Sequence, residues 1–134
     1  MKNTIVGRVE EIAGRLRGLG DSFSQYDYLL TEGMGRKASP EIHKDAFRIG
    51  GCRTVIWSSA EERDGKVIFR ADSDSLLVKG VLALFDELYN GIPAAEAAAC
   101  EPAFLTDISD EVIYPEIKEN GLRKCYEKIR MLSH

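Results

Sequence analysis

Hydrophobic residues recur every three to four positions up to about residue 35, alternate in short runs between residues 46 and 71, and return to the longer period afterwards. That double change of period restricts the chain to an α+β architecture, with a small sheet set between helical segments. In the first stretch Ile5, Val9, Ile12, Leu16 and Leu19 form one helix face, capped by Asn3 or Thr4 and ended by Gly18 and Gly20. Ser22 with Gln25 three residues on reads as a capping box. The helix it opens is expected to bury Phe23, Tyr26, Leu29 and Leu30 and to stop at Gly33 and Gly35.

Residues 46–49, 54–59 and 66–71 are β-branched or aromatic runs bounded by turn residues, and they predict three strands. In the last of them Val67, Phe69 and Ala71 alternate with Lys66, Ile68 and Arg70, as in a strand with one buried face. Asp64-Gly65 supplies the turn of a hairpin, and a three-stranded antiparallel meander is the simplest sheet. Ser73 or Asp74 then caps a helix with Leu77, Val81, Leu84, Phe85 and Leu88 on its core stripe, closed by Gly91 and Pro93. Residues 94–99 suggest a short helix. A last helix from about Asn120 buries Leu122, Cys125, Tyr126, Ile129 and Leu132. The expected order is α-α-β-β-β-α-α-α in one domain spanning residues 1–134.

Composition removes several functional classes. Eighteen basic against 22 acidic residues give a net charge of −4, with the cations scattered and not gathered into a face that could displace counterions from nucleic acid. No apolar run reaches the length of a membrane span, and the N-terminal pattern lacks the features of a signal peptide, so a cytoplasmic location is expected. The three cysteines, 52, 100 and 125, are odd in number and widely spaced, which predicts reduced thiols and not a disulfide framework or a zinc site.

Cys52 is the exception among them. It follows Gly50-Gly51, where a tight turn separates two extended runs, so its thiol is carried on a loop of a β-framework. A free thiol near pKa 8.5 is only a few per cent thiolate at neutral pH, and backbone N–H groups of the turn and Arg53 are the local candidates for lowering it. Cys125 and Cys100 read as structural. Asp72, Asp74 and Lys79 read first as capping and dipole compensation at a helix start, and alternatively as a recognition patch beside the Cys52 loop. Trp57 is expected in the core of the sheet. His43 and His134, in a loop and at the chain end, suggest no catalytic set.

Four motifs, in order and at fitting separations across residues 20–132, give the chain a resemblance. They are Gly51-Cys52 shortly before Val55-Ile56-Trp57, Ala71-Asp72-Ser73-Asp74, Lys79-Gly80, and Asn120-Gly121-Leu122. The chain resembles the SufE family, sulfur acceptors that partner cysteine desulfurases in iron–sulfur cluster assembly. The resemblance implies a small antiparallel sheet packed by helices, as in IscU-like scaffolds. It implies that Cys52 takes up persulfide sulfur from a pyridoxal-phosphate-dependent, SufS-like desulfurase and stimulates it, with a Suf scaffold complex as a further partner. It also implies partner contacts from Gly51, Arg53, Asp72, Asp74, Lys79 and Lys118. The chain would need no cofactor or metal of its own, and would be an accessory protein with a covalent intermediate more than a stand-alone enzyme. Arg53-Thr54 replaces the family's Gln-Ser, and Pro115 and Lys118 stand where a Ser and an Arg are common. Lys keeps the charge of Arg without its planar fork. These departures leave a second expectation, a regulator that binds the desulfurase without carrying sulfur.

Overall fold

The computed structural model describes residues 4–51 and 53–132. Cys52 and the Asn3 cap lie outside the described residues. Helix α1 spans Ile5–Gly18, with the Thr4 hydroxyl accepting from the Gly7 N–H, and buries Ile5, Ile12, Ala13 and Leu16. Gly20, at φ +87°, turns the chain into α2, Ser22–Gly35. The cap of α2 is Asp21, whose carboxylate accepts from the Ser24 N–H, so the capping box expected at Ser22 does not form. With the helix phased from Asp21, Phe23 and Tyr26 point to solvent, at 81% and 45% exposure. Gln25 takes the buried position. Its amide donates to the Asp107 and Leu16 carbonyls at 2.7 and 3.5 Å, and its Oε1 accepts from the Ser109 N–H at 2.8 Å. The Asp107 carbonyl and the Ser109 N–H are thereby satisfied, while the Leu16 carbonyl also accepts from the Leu19 N–H. Gln25→Ala is expected to cost about 2 kcal/mol, read as a lower denaturant midpoint at unchanged slope. An unchanged midpoint would mean that water replaces the amide.

Two strands form, not three. β1 (Ile56–Arg63) and β2 (Lys66–Ser73) pair antiparallel from Ile56↔Ser73 to Arg63↔Lys66. Asp64 and Gly65, at φ 55° and 80°, make the primed two-residue turn that matches strand twist. Val67, Phe69 and Ala71 face the core as their alternation requires. Residues 45–47 instead coil into a single 3-10 turn, which leaves too short an extended stretch before Gly50 to build a ladder. What remains of the third strand is one bridge, Arg48↔Trp57, and the bond from the Ile49 N–H to the Ile56 carbonyl at 2.9 Å.

Helix α3 (Leu76–Tyr89) is the centre of the molecule. Its cap is Ser75, one residue beyond Asp74, and burial reaches well beyond one stripe to Val78, Val81, Leu82, Leu84, Phe85, Leu88 and Tyr89. Such a helix is stable only when covered on several sides. Helix α2 and the sheet supply much of that cover, with Phe85 within ring contact of Phe69 and Phe104. Arg36, at the end of α2, forks onto Asp86 at 2.8 and 3.2 Å and donates to the Ala71 carbonyl, joining α2, α3 and β2. Helix α4 (Ala94–Ala98) follows.

The C-terminal helical segment begins earlier than Asn120. It runs from α5 (Pro115–Ile117) through a π turn at Lys118–Leu122 into α6 (Arg123–Arg130). Pro115 sits at the first helical position, where its missing N–H costs nothing. Among the described residues no helix is long and apolar enough to cross a membrane.

Candidate functional site at the Gly50-Gly51 turn

The loop between residues 50 and 55 is closed at its base by the Ile49–Ile56 bond. Gly51 has φ +85°, a left-handed conformation that costs a side-chain-bearing residue energy, so glycine is required there. On the far side of the loop the Val55 carbonyl accepts from the Ser73 hydroxyl at 2.7 Å and from the Asp74 N–H at 3.4 Å. On the near side Lys124 of α6 donates to the Gly50 carbonyl at 2.6 Å. Four residues along the same helix, Lys128 donates to the Phe47 and Ser58 carbonyls. Burial lowers the proton affinity of Lys128, partly offset by Cys125.

Asp72 organises the sheet side. Its side chain is 3% exposed, and its oxygens accept from the Ser39 N–H at 3.1 Å, the Ser73 N–H at 2.9 Å and His43 Nε2 at 2.7 Å, with the Lys79 ammonium 3.6 Å away. An ionised carboxylate only accepts, so the proton of the His43 bond sits on Nε2. Burial pushes the Asp72 carboxyl up, but the three hydrogen bonds and the Lys79 charge outweigh it and hold it below the ordinary aspartate range. His43 in turn stacks on Trp57, with centroids 3.9 Å apart and planes 16° from parallel. Trp57 is therefore half-buried on the outer face of the sheet and not in its core, while Ile56 and Ser58 face inward.

The expected site residues are thus only partly gathered. Asp72 and Lys79 meet, and Asp74 touches the loop through its backbone while its side chain is exposed. Gly51 and Arg53 are exposed beside position 52. Lys118 bonds in another direction. It is buried at 8% exposure, and its ammonium donates to the Ile108 carbonyl and to Asp110 at 2.8 Å. There it lines a cavity of about 490 Å³ with Glu101, Pro102 and Arg123. His43, Ser39, Lys124 and Lys128 were not foreseen. The four-residue spacing of the two lysines beside the apolar stripe of the last helix was the one readable signal. Of the other thiols, Cys125 is buried, and burial pushes the half-exposed Cys100 up.

A family model described as SufE, Fe-S metabolism associated domain, matches residues 10–133. The chain is 27% identical over 130 residues to an uncharacterized SufE-like protein of Synechocystis, covering 95% of this chain and 80% of that one. It is 33% identical over 85 residues to the sulfur acceptor protein CsdE of Escherichia coli, covering 62% and 58%. To the cysteine desulfuration protein SufE of Plasmodium vivax it is 29% identical over 106 residues, covering 75% of this chain and 42% of that one. In fold it is similar to a hypothetical protein of Thermus thermophilus solved in solution, with a TM-score of 0.71 at 17% identity over 93% and 95% of the two chains.

Proposed function

The chain belongs to the SufE family, and we propose that it is a sulfur acceptor that takes sulfane sulfur from a cysteine desulfurase onto Cys52 for Fe–S metabolism. The observation that carries the reading is the Gly50-Gly51 turn, where the left-handed Gly51 immediately precedes the cysteine on a loop anchored at Ile49, Gly50 and Val55. The names of the Escherichia and Plasmodium relatives, a sulfur acceptor and a cysteine desulfuration protein, support it.

In the proposed step the Cys52 thiolate attacks the terminal sulfur of a persulfide on the desulfurase cysteine. A new S–S bond forms at Cys52, and the donor S–S bond breaks with its electron pair leaving on the donor thiolate. One sulfur atom moves and there is no net oxidation, so no further reactant is needed. The donor is proposed to be a pyridoxal-phosphate-dependent, SufS-like enzyme, stimulated by removal of its persulfide, with a Suf scaffold complex receiving the sulfur. Gly51, Arg53 and Asp74 would meet the donor directly. Asp72 and Lys79 would act from beneath by fixing the strand end, and Lys118 by shaping the cavity beside α5.

Incubation with a desulfurase and cysteine should add one sulfur atom to the intact mass, and Cys52→Ser should abolish that addition while Cys100→Ser retains it. If Cys52→Ser accepts sulfur as the parent does, the assignment is wrong. If the parent accepts no sulfur yet stimulates the desulfurase, and Cys52→Ser stimulates it equally, the chain is a regulator and not a carrier.

A further inference from the structure

Lys124 has a placement that the sulfur-transfer reading leaves unexplained. Its ammonium bonds the Gly50 carbonyl at 2.6 Å, and a Cβ built on Gly51 would lie 2.8 Å from the same nitrogen. The cation therefore rests on the residue that precedes Cys52. Among the described residues it has no carboxylate partner within ion-pair distance.

Other charged groups stand on the elements packed around the turn. Lys44, Asp45 and Arg48 lie on the approaching segment, Arg53 in the loop, Asp74 before α3, and Lys128 on α6. Asp72, His43 and Lys79 close on one another. Lys128 is committed to the Phe47 and Ser58 carbonyls. Lys124 is thus a cation held against the turn itself, and a carbonyl oxygen bonds it without neutralising its charge.

We propose that Lys124 is a positioning residue for Cys52. By holding Gly50 it fixes the turn, and its charge, which has no ion-pair partner among the described residues, favours the thiolate over the thiol. The proposal rests on Cys52 being the reactive thiol, and it explains how a loop cysteine on a net acidic chain becomes a nucleophile at neutral pH. A cation beside a thiol lowers its pKa, and one unit is a tenfold change in the ionisation constant. For a solvent-exposed lysine, salt screens part of the effect.

The test is alkylation of Cys52 by iodoacetamide as a function of pH, with the modified peptide identified by mass and Cys100 followed as an internal comparison. Lys124→Gln should slow Cys52 alkylation about three- to tenfold at pH 7 and leave it unchanged near pH 10, where the thiol is fully ionised. Lys124→Arg should restore the parent profile, and the gap between the parent and Lys124→Gln should shrink in 1 M salt. A profile for Lys124→Gln that superimposes on the parent, or one displaced equally at every pH, overturns the proposal. No sulfur donor is present in the assay. Failure of Cys52 to accept sulfur would therefore leave this result standing, and the two readings fail separately.

Discussion

Asp72→Ala is expected to destabilise the protein by about 3 to 5 kcal/mol, the range for removing one member of a buried ion-paired group. The buried carboxylate is the shared acceptor for Ser39, His43 and Ser73 and the counter-charge of Lys79. Its loss orphans two backbone N–H groups and leaves a lysine that is only 17% exposed without its anion. Asp72→Asn keeps the shape and one oxygen but no charge, and should fall between the two. The pH dependence follows from the direction of the shift. The folded carboxyl titrates lower than the unfolded one, so the stability it contributes is complete above the ordinary aspartate pKa, about 3.9. That stability is lost as pH falls through the lower folded value. Denaturant melts of parent and Asp72→Ala should therefore differ most near neutrality and converge below about pH 4. A gap that stays constant down to pH 2 would show that the carboxylate's charge is not what stabilises the fold. Because Ser39 and His43 lie on the segment that leads to the Gly50-Gly51 turn, the same variant should also raise hydrogen exchange at residues 39–49 before the sheet itself opens.

Several elements were readable because one local rule governed each of them. The stripe of α1 and the run of α3 have no competing period, and Asp64-Gly65 has one strongly favoured use between two alternating runs. The reading failed where two local rules competed. At the start of α2 both Asp21 and Ser22 can cap; Asp21 does, and Phe23 and Tyr26 fall outside the buried face while Gln25 falls within it. Residues 46–49 have strand composition, yet the 3-10 turn of residues 45–47 consumes half of them. Within the site, Asp72 stood out as an acidic residue at a helix start, but its partners could not be read. Ser39 and His43 lie 33 and 29 residues away in the chain, and only the folded loop brings them in. Lys124 is 74 residues from Gly50 and resembled any solvated cation on a helix. Chain distance, more than chemistry, separated the readable half of the site from the rest.

Gly80→Ala should be strongly destabilising for a single added methyl, and its sign runs against helix propensity. Alanine is the better helix former by about 1 kcal/mol, so an open site would gain. At Gly80 the new Cβ would lie 2.1 Å from the Leu29 carbonyl oxygen, 2.8 Å from its carbon and 3.0 Å from its Cα. At Gly33, facing it, a Cβ would lie 2.1 Å from the Leu76 carbonyl oxygen and 3.1 Å from the Gly80 nitrogen. These neighbours are backbone, so no rotamer can move them aside. Gly33, expected with Gly35 to stop α2, lies inside the helix, which ends at Gly35; with Gly80 it lets α2 and α3 touch backbone to backbone. Relief requires the helices to separate by about 1.2 to 1.5 Å, the distance from that overlap to an ordinary C···O contact. The separation forfeits dispersion contacts along both helices. We expect a net loss of about 2 to 4 kcal/mol, overpacking outweighing propensity. Gly14→Ala, in α1 with nothing within 4 Å of its Cβ, should instead gain up to about 1 kcal/mol. Thermal melts of the two variants beside the parent separate the explanations: if both shift the midpoint upward, the α2–α3 contact yields more readily than its geometry implies. The consequence reaches the site, because Gly80 adjoins Lys79 and α2 ends at Arg36, whose guanidinium holds Asp86 of α3 and the carbonyl of Ala71 beside Asp72. Spreading the helices draws Lys79 and Arg36 apart from the strand end they brace, so Gly80→Ala should also loosen the Asp72 group and raise exchange at residues 39–49, as Asp72→Ala does.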